Sequence, residues 1–163
     1  MPTRMNVPAI TLAASLAAVM TMAPELLAQT EALLEVTARG SFDDVKQQLV
    51  LAIENRGLIV NHESKVGEML ERTGKDLGAA TRIYVRAEVL EFCSAVLSRQ
   101  AMEADARLLA LCPYGIGIYT LPGEADKVHL VYRRPPTEGS GPAAPILRQV
   151  DRLLHDIVQD AGQ

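Results

Sequence analysis

The chain has 163 residues, of which 48% are hydrophobic, and a formal net charge of −4 at pH 7. This mild acidity, without a basic cluster, argues against nucleic acid as a partner. Aromatic residues make up only 4% of the chain and Trp is absent, which disfavours a stacking site for sugars or bases.

Residues 1–28 have the three parts of a secretory signal peptide. Arg4 provides a basic tip, an apolar run extends from Val7 to Ala23, and Ala28 is a small residue at the exit. We therefore expect a periplasmic or secreted protein that is cleaved near Ala28. The alternative is a retained N-terminal anchor, but the run falls just short of the roughly 20 apolar residues that a bilayer requires. That anchor would be the only contact with a membrane.

Strands and helices are predicted to alternate along the rest of the chain. The first helix is the best defined, because Ser41 can cap it, Asp43 and Asp44 suit its first turn, and Gly57 suits its end. Further helices are expected at Lys65–Leu77 and from Ser94 to about Arg107. The expected strands are Glu31–Ala38, Leu58–Val60, Arg82–Phe92, Tyr114–Thr120 and Lys127–Arg133.

The third of these strands shows the clearest alternation. It places Ile83, Val85, Ala87 and Val89 on one face and charged or polar residues on the other, which is typical of a half-exposed strand.

The order of these elements predicts an α+β fold, a two-layer sandwich with helices on one face of the sheet and the other face partly open. The domain is expected over residues 29–134. Residues 135–144 are rich in turn formers and are predicted to be a linker. An amphipathic helix over residues 145–163 is expected to pack on the domain.

Cys93 and Cys112 are the main candidates for chemistry. Export to an oxidising compartment favours a structural disulfide between them. The helix expected between them would span roughly 15–20 Å, whereas a disulfide needs Cα atoms within about 7 Å. The chain would then have to turn back through Leu108–Leu111. Separate thiols, and a metal, haem or redox role, are the open alternatives.

His62 would join the two cysteines in the metal, haem or redox alternative. If the strands before and after the second helix ran parallel, His62 and Cys93 would lie at the same edge of the sheet. An imidazole and a thiolate there would suit copper, zinc or haem iron. A histidine that only caps the strand end is the simpler interpretation, and neither a metal nor haem is required. His129 and His155 are expected to be exposed to solvent.

Several short motifs resemble the bacterial family called domain of unknown function 302. They are Ser41–Val45, Asn55–Leu58 followed by Asn61-His62, Met69–Gly78, Phe92–Ala95, Cys112–Tyr114 and Tyr132–Arg133–Arg134. The resemblance covers about residues 31–134. It implies a compact α+β fold with an antiparallel-rich sheet of about five strands, and in some members a homodimer. It implies no established activity.

These observations favour a non-enzymatic module that binds an unidentified small molecule or protein. Asn61, Tyr114 and Arg133 are its candidate ligand-binding residues. The alternative is a metal-binding, haem-binding or thiol-redox accessory protein that uses Cys93, Cys112 and His62. A hydrolase or transferase has no support, because no GxSxG motif or glycine-rich phosphate loop is present.

Overall fold

The computed structural model describes residues 32–79, 81–138 and 140–163. The predicted signal peptide and Glu31 lie outside the described residues. The strands are β1 (Leu33–Arg39), β2 (Val60–Ser64), β3 (Arg86–Phe92), β4 (Tyr114–Thr120) and β5 (Lys127–Arg133). The helices are α1 (Phe42–Glu54), α2 (Val66–Asp76), α3 (Ala95–Ala104) and α4 (Ala144–Ala161), with short 3-10 helices at Ala106–Leu111 and Gly141–Ala143. Within these ranges, no helix has the length and apolarity to cross a membrane.

The five strands form one sheet in the order β1-β5-β4-β3-β2, and all neighbours are antiparallel. The two strands nearest the start of the chain therefore lie at opposite edges, and α1 connects them. This arrangement confirms the predicted α+β class and the antiparallel sheet of five strands.

One face of the sheet packs against α1 and α4 and forms the main core. Alternate residues of each strand point to this face, among them Leu90 on β3, Ile116 and Ile118 on β4, and Leu130 on β5. They meet the apolar stripes of the two helices, including Leu49, Ile53, Leu154 and Ile157. We call the opposite side the second face; its residues include Glu35, Thr37, Val131 and Val89, which are exposed or half-buried.

The first helix forms as its sequence predicts. The Ser41 hydroxyl accepts a hydrogen bond from the backbone N–H of Asp44 at 3.1 Å, which satisfies one of the free donors at the helix start. Gly57 follows the helix with φ +71°, a conformation that glycine adopts without steric cost. The apolar stripe of this helix is buried and consists of Phe42, Val45, Leu49, Ala52 and Ile53.

The predicted bounds of β2 and β3 were partly wrong. β2 extends over Val60–Ser64 rather than Leu58–Val60. β3 begins at Arg86 rather than Arg82, and Ile83 and Val85 precede it, exposed at 54% and 47%. Its core face carries Leu90 and Phe92, not the set that alternates with Ile83. The reason is that the apolar pattern changes phase at Val89-Leu90, and the later phase is the one that the helices bury.

The second helix lies at the edge of the sheet. β2 pairs with β3 only from Phe92 back to Val89, and α2 begins just after β2 ends. A Cβ atom on Gly67 of α2 would lie 2.8 Å from the backbone nitrogen of Ala87. Only glycine permits so close an approach, so α2 takes the place beside β3 that β2 leaves empty.

A cluster of charged side chains fastens α1 to β3. Glu88 is only 5% exposed and accepts hydrogen bonds from Lys46 Nζ at 2.6 Å and Arg86 Nε at 2.9 Å. Arg86 also reaches Asp43 at 2.6 Å, and its guanidinium lies 4.0 Å from the ring centroid of Phe42. Burial alone would raise the pKa of Glu88, but the two cations outweigh it and lower the pKa below its usual value.

Replacing this buried carboxylate should destabilise the fold. Glu88→Gln keeps the shape but leaves Lys46 and Arg86 without their shared anion, so we expect a loss of about 2 kcal/mol in the free energy of unfolding. Urea denaturation measures the change. Glu91→Gln, on the second face of the same strand, is the matched control and should change stability little. Equal effects of the two substitutions would contradict this interpretation.

Candidate ligand-binding site

Cys93 and Cys112 form a disulfide, with their Cα atoms 6.2 Å apart. The chain turns back as the disulfide alternative requires, because α3 ends at Ala104 and the 3-10 helix Ala106–Leu111 leads back to β4. Phe92 pairs with Tyr114 in the sheet. The two cysteines therefore lie at the base of the excursion that β3 and β4 enclose.

The disulfide closes this excursion into a loop. The cysteines are separated by 19 positions, and closing a loop of that size restricts the unfolded chain enough to contribute about 3 kcal/mol in the chain-entropy model. None of the residues between Asp105 and Leu111 belongs to the main core. The disulfide is thus a local fastening of this excursion, and the main core does not depend on it for its packing.

A chain of hydroxyl groups leads from β4 to the disulfide. The Ser98 hydroxyl donates to Cys112 Sγ at 3.7 Å, and the hydroxyls of Ser98 and Tyr114 lie 3.3 Å apart. Since a serine hydroxyl has one hydrogen, Tyr114 is the donor to Ser98. Burial is the main cause that raises the pKa of Tyr114.

The sheet opens between β4 and β5 next to this disulfide. The two strands pair only from Ile116–Tyr132 to Tyr119–His129. Beyond Ile116, β4 continues beside β3 through Gly115 and Tyr114, while Arg133 of β5 continues beside β1. Gly115 and Arg133, the next pair in this register, do not pair with each other. We call this opening the strand fork.

A pocket of about 250 Å³ occupies the strand fork. Its walls come from both sides of the opening and its floor from α4. The lining residues are Ala110, Leu111, Pro113, Tyr114, Gly115, Arg133, Arg134, Pro135 and Leu154. Two of the three predicted ligand-binding residues, Tyr114 and Arg133, are therefore brought together here.

The charge of the fork is positive. Two arginines and no acidic residue line it. Arg134 is held by an ion pair with Asp151 at 2.7 Å, and its hydrogen bonds lower the pKa of that carboxyl. Arg133 is exposed, and its side chain forms no ion pair within the described ranges. The fork therefore offers one guanidinium to an anion, above an apolar floor.

His62 and Asn61 lie away from the fork. The hypothesis that His62 and Cys93 lie at the same edge depended on a parallel arrangement of β2 and β3, and the two strands are antiparallel. His62 pairs with Glu91 within the sheet, and Asn61 lies at the irregularity between Val60 and His62. Both side chains are exposed. Among the described residues, no group of three or more His, Cys, Asp or Glu is arranged to hold a metal ion. A metal or haem role for Cys93, Cys112 and His62 stays a prediction.

A polar cluster that the sequence did not reveal lies on the second face. His129, expected to be exposed, is 4% exposed because the ring of Tyr119 stacks on it with the centroids 4.6 Å apart. Its Nδ1 lies 3.0 Å from Glu35 and its Nε2 lies 2.6 Å from Glu124. The Tyr119 hydroxyl also donates to Glu35. The four side chains tie β1, β4, β5 and the β4–β5 loop together.

The electrostatics of this cluster favour charged carboxylates. Burial raises the pKa of Glu35, but hydrogen bonds from Tyr119 and His129 outweigh it and leave the pKa below its usual value of 4.5. The hydrogen bond from His129 is the main cause that lowers the pKa of Glu124. The hydrogen bonds run in a chain from Tyr119 through Glu35 and His129 to Glu124, so each of the four groups has a partner within the cluster, whereas the fork has an open pocket.

The fold and the fork define a small α+β domain with a positively charged cleft in an antiparallel sheet. The chain belongs to the family described as domain of unknown function DUF302, whose family model matches residues 34–161. This confirms the resemblance seen in the sequence, and the matched range includes α4. No curated protein matches the sequence.

A solved structure supports the same fold. The chain is similar to the uncharacterized conserved protein DUF302 from Bacillus stearothermophilus, with 14% sequence identity and a TM-score of 0.66. The similarity covers 80% of this chain and 98% of the other. At this level of identity the likeness establishes the fold alone.

The second-face cluster and the cluster around Glu88 should together make the protein sensitive to acid. The folded state holds the pKa of Glu35 and that of Glu88 below 4.5, so it binds fewer protons than the unfolded chain near that pH. The stabilisation is fully present above the usual value and is lost as pH falls through the lowered pKa values. Urea denaturation between pH 7 and pH 3 should show this decline.

Glu35→Gln should flatten the acid part of that profile. Glu54→Gln, at an exposed position at the end of α1, should leave the profile unchanged. A profile that Glu35→Gln does not alter would contradict the role assigned to this carboxylate.

Proposed function

We propose that this chain is an exported, non-enzymatic module that binds a small organic anion in the strand fork. The observation that carries the proposal is Arg133, a guanidinium without an ion-pair partner in the described ranges, at the rim of a pocket that also has apolar lining residues. A carboxylate or similar anion pairs well with a guanidinium, while Leu111, Pro113 and Leu154 suit an apolar body.

The size and lining of the pocket support binding rather than catalysis. A volume of about 250 Å³ lies just below the range of pockets that enclose drug-sized ligands, so the ligand would be smaller. The lining contains no pair of a nucleophile and a base. The polar groups are arginines, a tyrosine and the backbone at the point where β4 and β5 separate, and such groups can orient a bound ligand.

Export to the periplasm is the second part of the proposal. It is supported by Arg4, the apolar run Val7–Ala23 and the small residue Ala28. Expression of the full chain in a bacterium should place it in the periplasmic fraction with an intact mass that begins at Gln29. Recovery of uncleaved chain in the membrane fraction would favour the retained anchor instead.

Anion binding is tested with benzoate and the neutral, nearly isosteric benzamide. In amide-resolved NMR of the periplasmically expressed protein, benzoate should shift the signals of Gly115 and Arg133, and benzamide should not. Arg133→Gln should weaken benzoate binding about fivefold, as expected for an ion pair that stays partly hydrated. Arg148→Gln, at an exposed position on α4, is the control of equal charge change. Equal shifts from both compounds would overturn the proposal.

A further inference from the structure

The disulfide and the strand fork share a segment of chain. Cys112 lies between Leu111 and Pro113, and both of these neighbours line the fork. Cys93 holds this segment to the end of β3. One wall of the pocket is therefore fastened by a covalent bond.

The surroundings of the disulfide suit exchange with another thiol. Both cysteines are partly exposed, so an external thiolate can reach the pair. The Ser98 hydroxyl donates to Cys112 Sγ, and a donor at that position stabilises a thiolate more than a sulfur in a disulfide. Since a better stabilised thiolate leaves faster, this donor favours Cys112 as the leaving group and Cys93 as the sulfur attacked.

We propose that an external dithiol exchanges with the Cys93–Cys112 disulfide and that the oxidation state of this pair sets the affinity of the strand fork for its anion. The effect of the oxidation state on affinity rests on the function proposed above. It deepens that function by assigning a regulatory partner, a protein or small molecule that carries two vicinal thiols.

The exchange takes place in two steps, each an attack by a thiolate on a disulfide sulfur. A thiolate of the dithiol attacks Cys93 Sγ, the Cys93–Cys112 bond breaks, and its electron pair stays on Cys112 beside Ser98. The second thiolate of the donor then attacks the donor sulfur in the mixed disulfide and releases Cys93 as a thiolate. The donor is oxidised to a disulfide, and the two cysteines gain two electrons and take up from solvent the two protons that the donor thiols released on ionising.

Reduction would loosen the wall of the fork without unfolding the core. The excursion packs through a small second cluster whose buried members are Ala101, Ala143, Ile146 and Leu147, with Leu108 and Leu111 only partly buried against it. Leu97 of α3 packs against both this cluster and the main core. None of Ala106–Leu111 reaches the main core. Once the bond is broken, Leu111 and Pro113 are held by these few contacts and by the chain itself.

The affinity of the fork is measured with benzoate as the probe. Oxidised protein, protein reduced with dithiothreitol, and the double variant Cys93→Ser/Cys112→Ser are titrated by NMR. We expect reduced protein to bind benzoate about tenfold more weakly than oxidised protein, because the fork then keeps its oxidised shape in only a minor fraction of the molecules. The methyl signals of Ile53 and Leu130 report on the core and should keep their positions in all three samples.

The exchange itself is measured without any ligand. The rate at which dithiothreitol reduces the pair is followed by alkylation and mass spectrometry. Ser98→Ala removes the hydrogen bond to the leaving thiolate and should slow the reaction about tenfold. Ser64→Ala, on β2, is the matched control and should not change the rate.

The thiol exchange, the regulation of affinity and the proposed function can each be contradicted by a different result. An unchanged rate in Ser98→Ala overturns the exchange mechanism. Equal benzoate affinity of the oxidised and reduced proteins overturns the regulation and leaves the proposed function intact. Displaced core methyl signals after reduction also overturn it, because the loss would then be one of folding. If oxidised protein does not bind benzoate, the proposed function is wrong, and the regulation falls with it.

Discussion

The layer of apolar side chains between the sheet and the pair α1 and α4 determines where every other feature lies. Ile116, Ile118 and Leu130 are fully buried against these helices, and they hold β4 and β5 side by side. Past Ile116 the two strands follow their outer neighbours and separate. The strand fork is therefore the margin of the core, where Leu154 still supplies an apolar surface and the backbone is no longer paired between the two strands.

The buried polar side chains Glu88 and His129 of the sheet each have several partners around them. Glu88 lies at the end of the core face and is neutralised by Lys46 and Arg86. His129 lies on the second face between two carboxylates and under the ring of Tyr119. A buried polar group without such partners costs more than the hydrogen bond that it would have made. The two clusters thus tie elements together at positions that apolar contacts do not reach.

The sequence predicts the parts of this fold that depend on local signals. Ser41, Asp44 and Gly57 mark the ends of α1 because capping acts between residues close in the chain. The face of β3 could not be decided locally, since Ile83-Val85 and Leu90-Phe92 alternate in opposite phase and only the helices choose between them. The phase change at Val89-Leu90 was the available signal. His129 was missed because its cover comes from Glu35 and Tyr119, distant residues that meet only through the strand order.

The candidate site was predictable in its residues but not in its geometry. Tyr114 and Arg133 stood out in the sequence, yet nothing there shows that β4 and β5 part before their ends. That separation depends on how far three strand pairs extend, namely β1–β5, β3–β4 and β4–β5. The cysteine pair was ambiguous for the related reason that a single turn of chain after α3 decides whether the sulfurs meet.

The position of α2 beside β3 has a consequence for how copies of this protein behave toward one another. A sheet edge with free backbone groups can recruit a strand from another molecule and begin aggregation. Gly67 lets α2 approach the backbone of Ala87 so closely that no strand can enter there, and the irregularity at Asn61 interrupts the short β2 that forms the rest of this edge. On this side the length of edge that a strand from another molecule could pair with is therefore limited to the short β2.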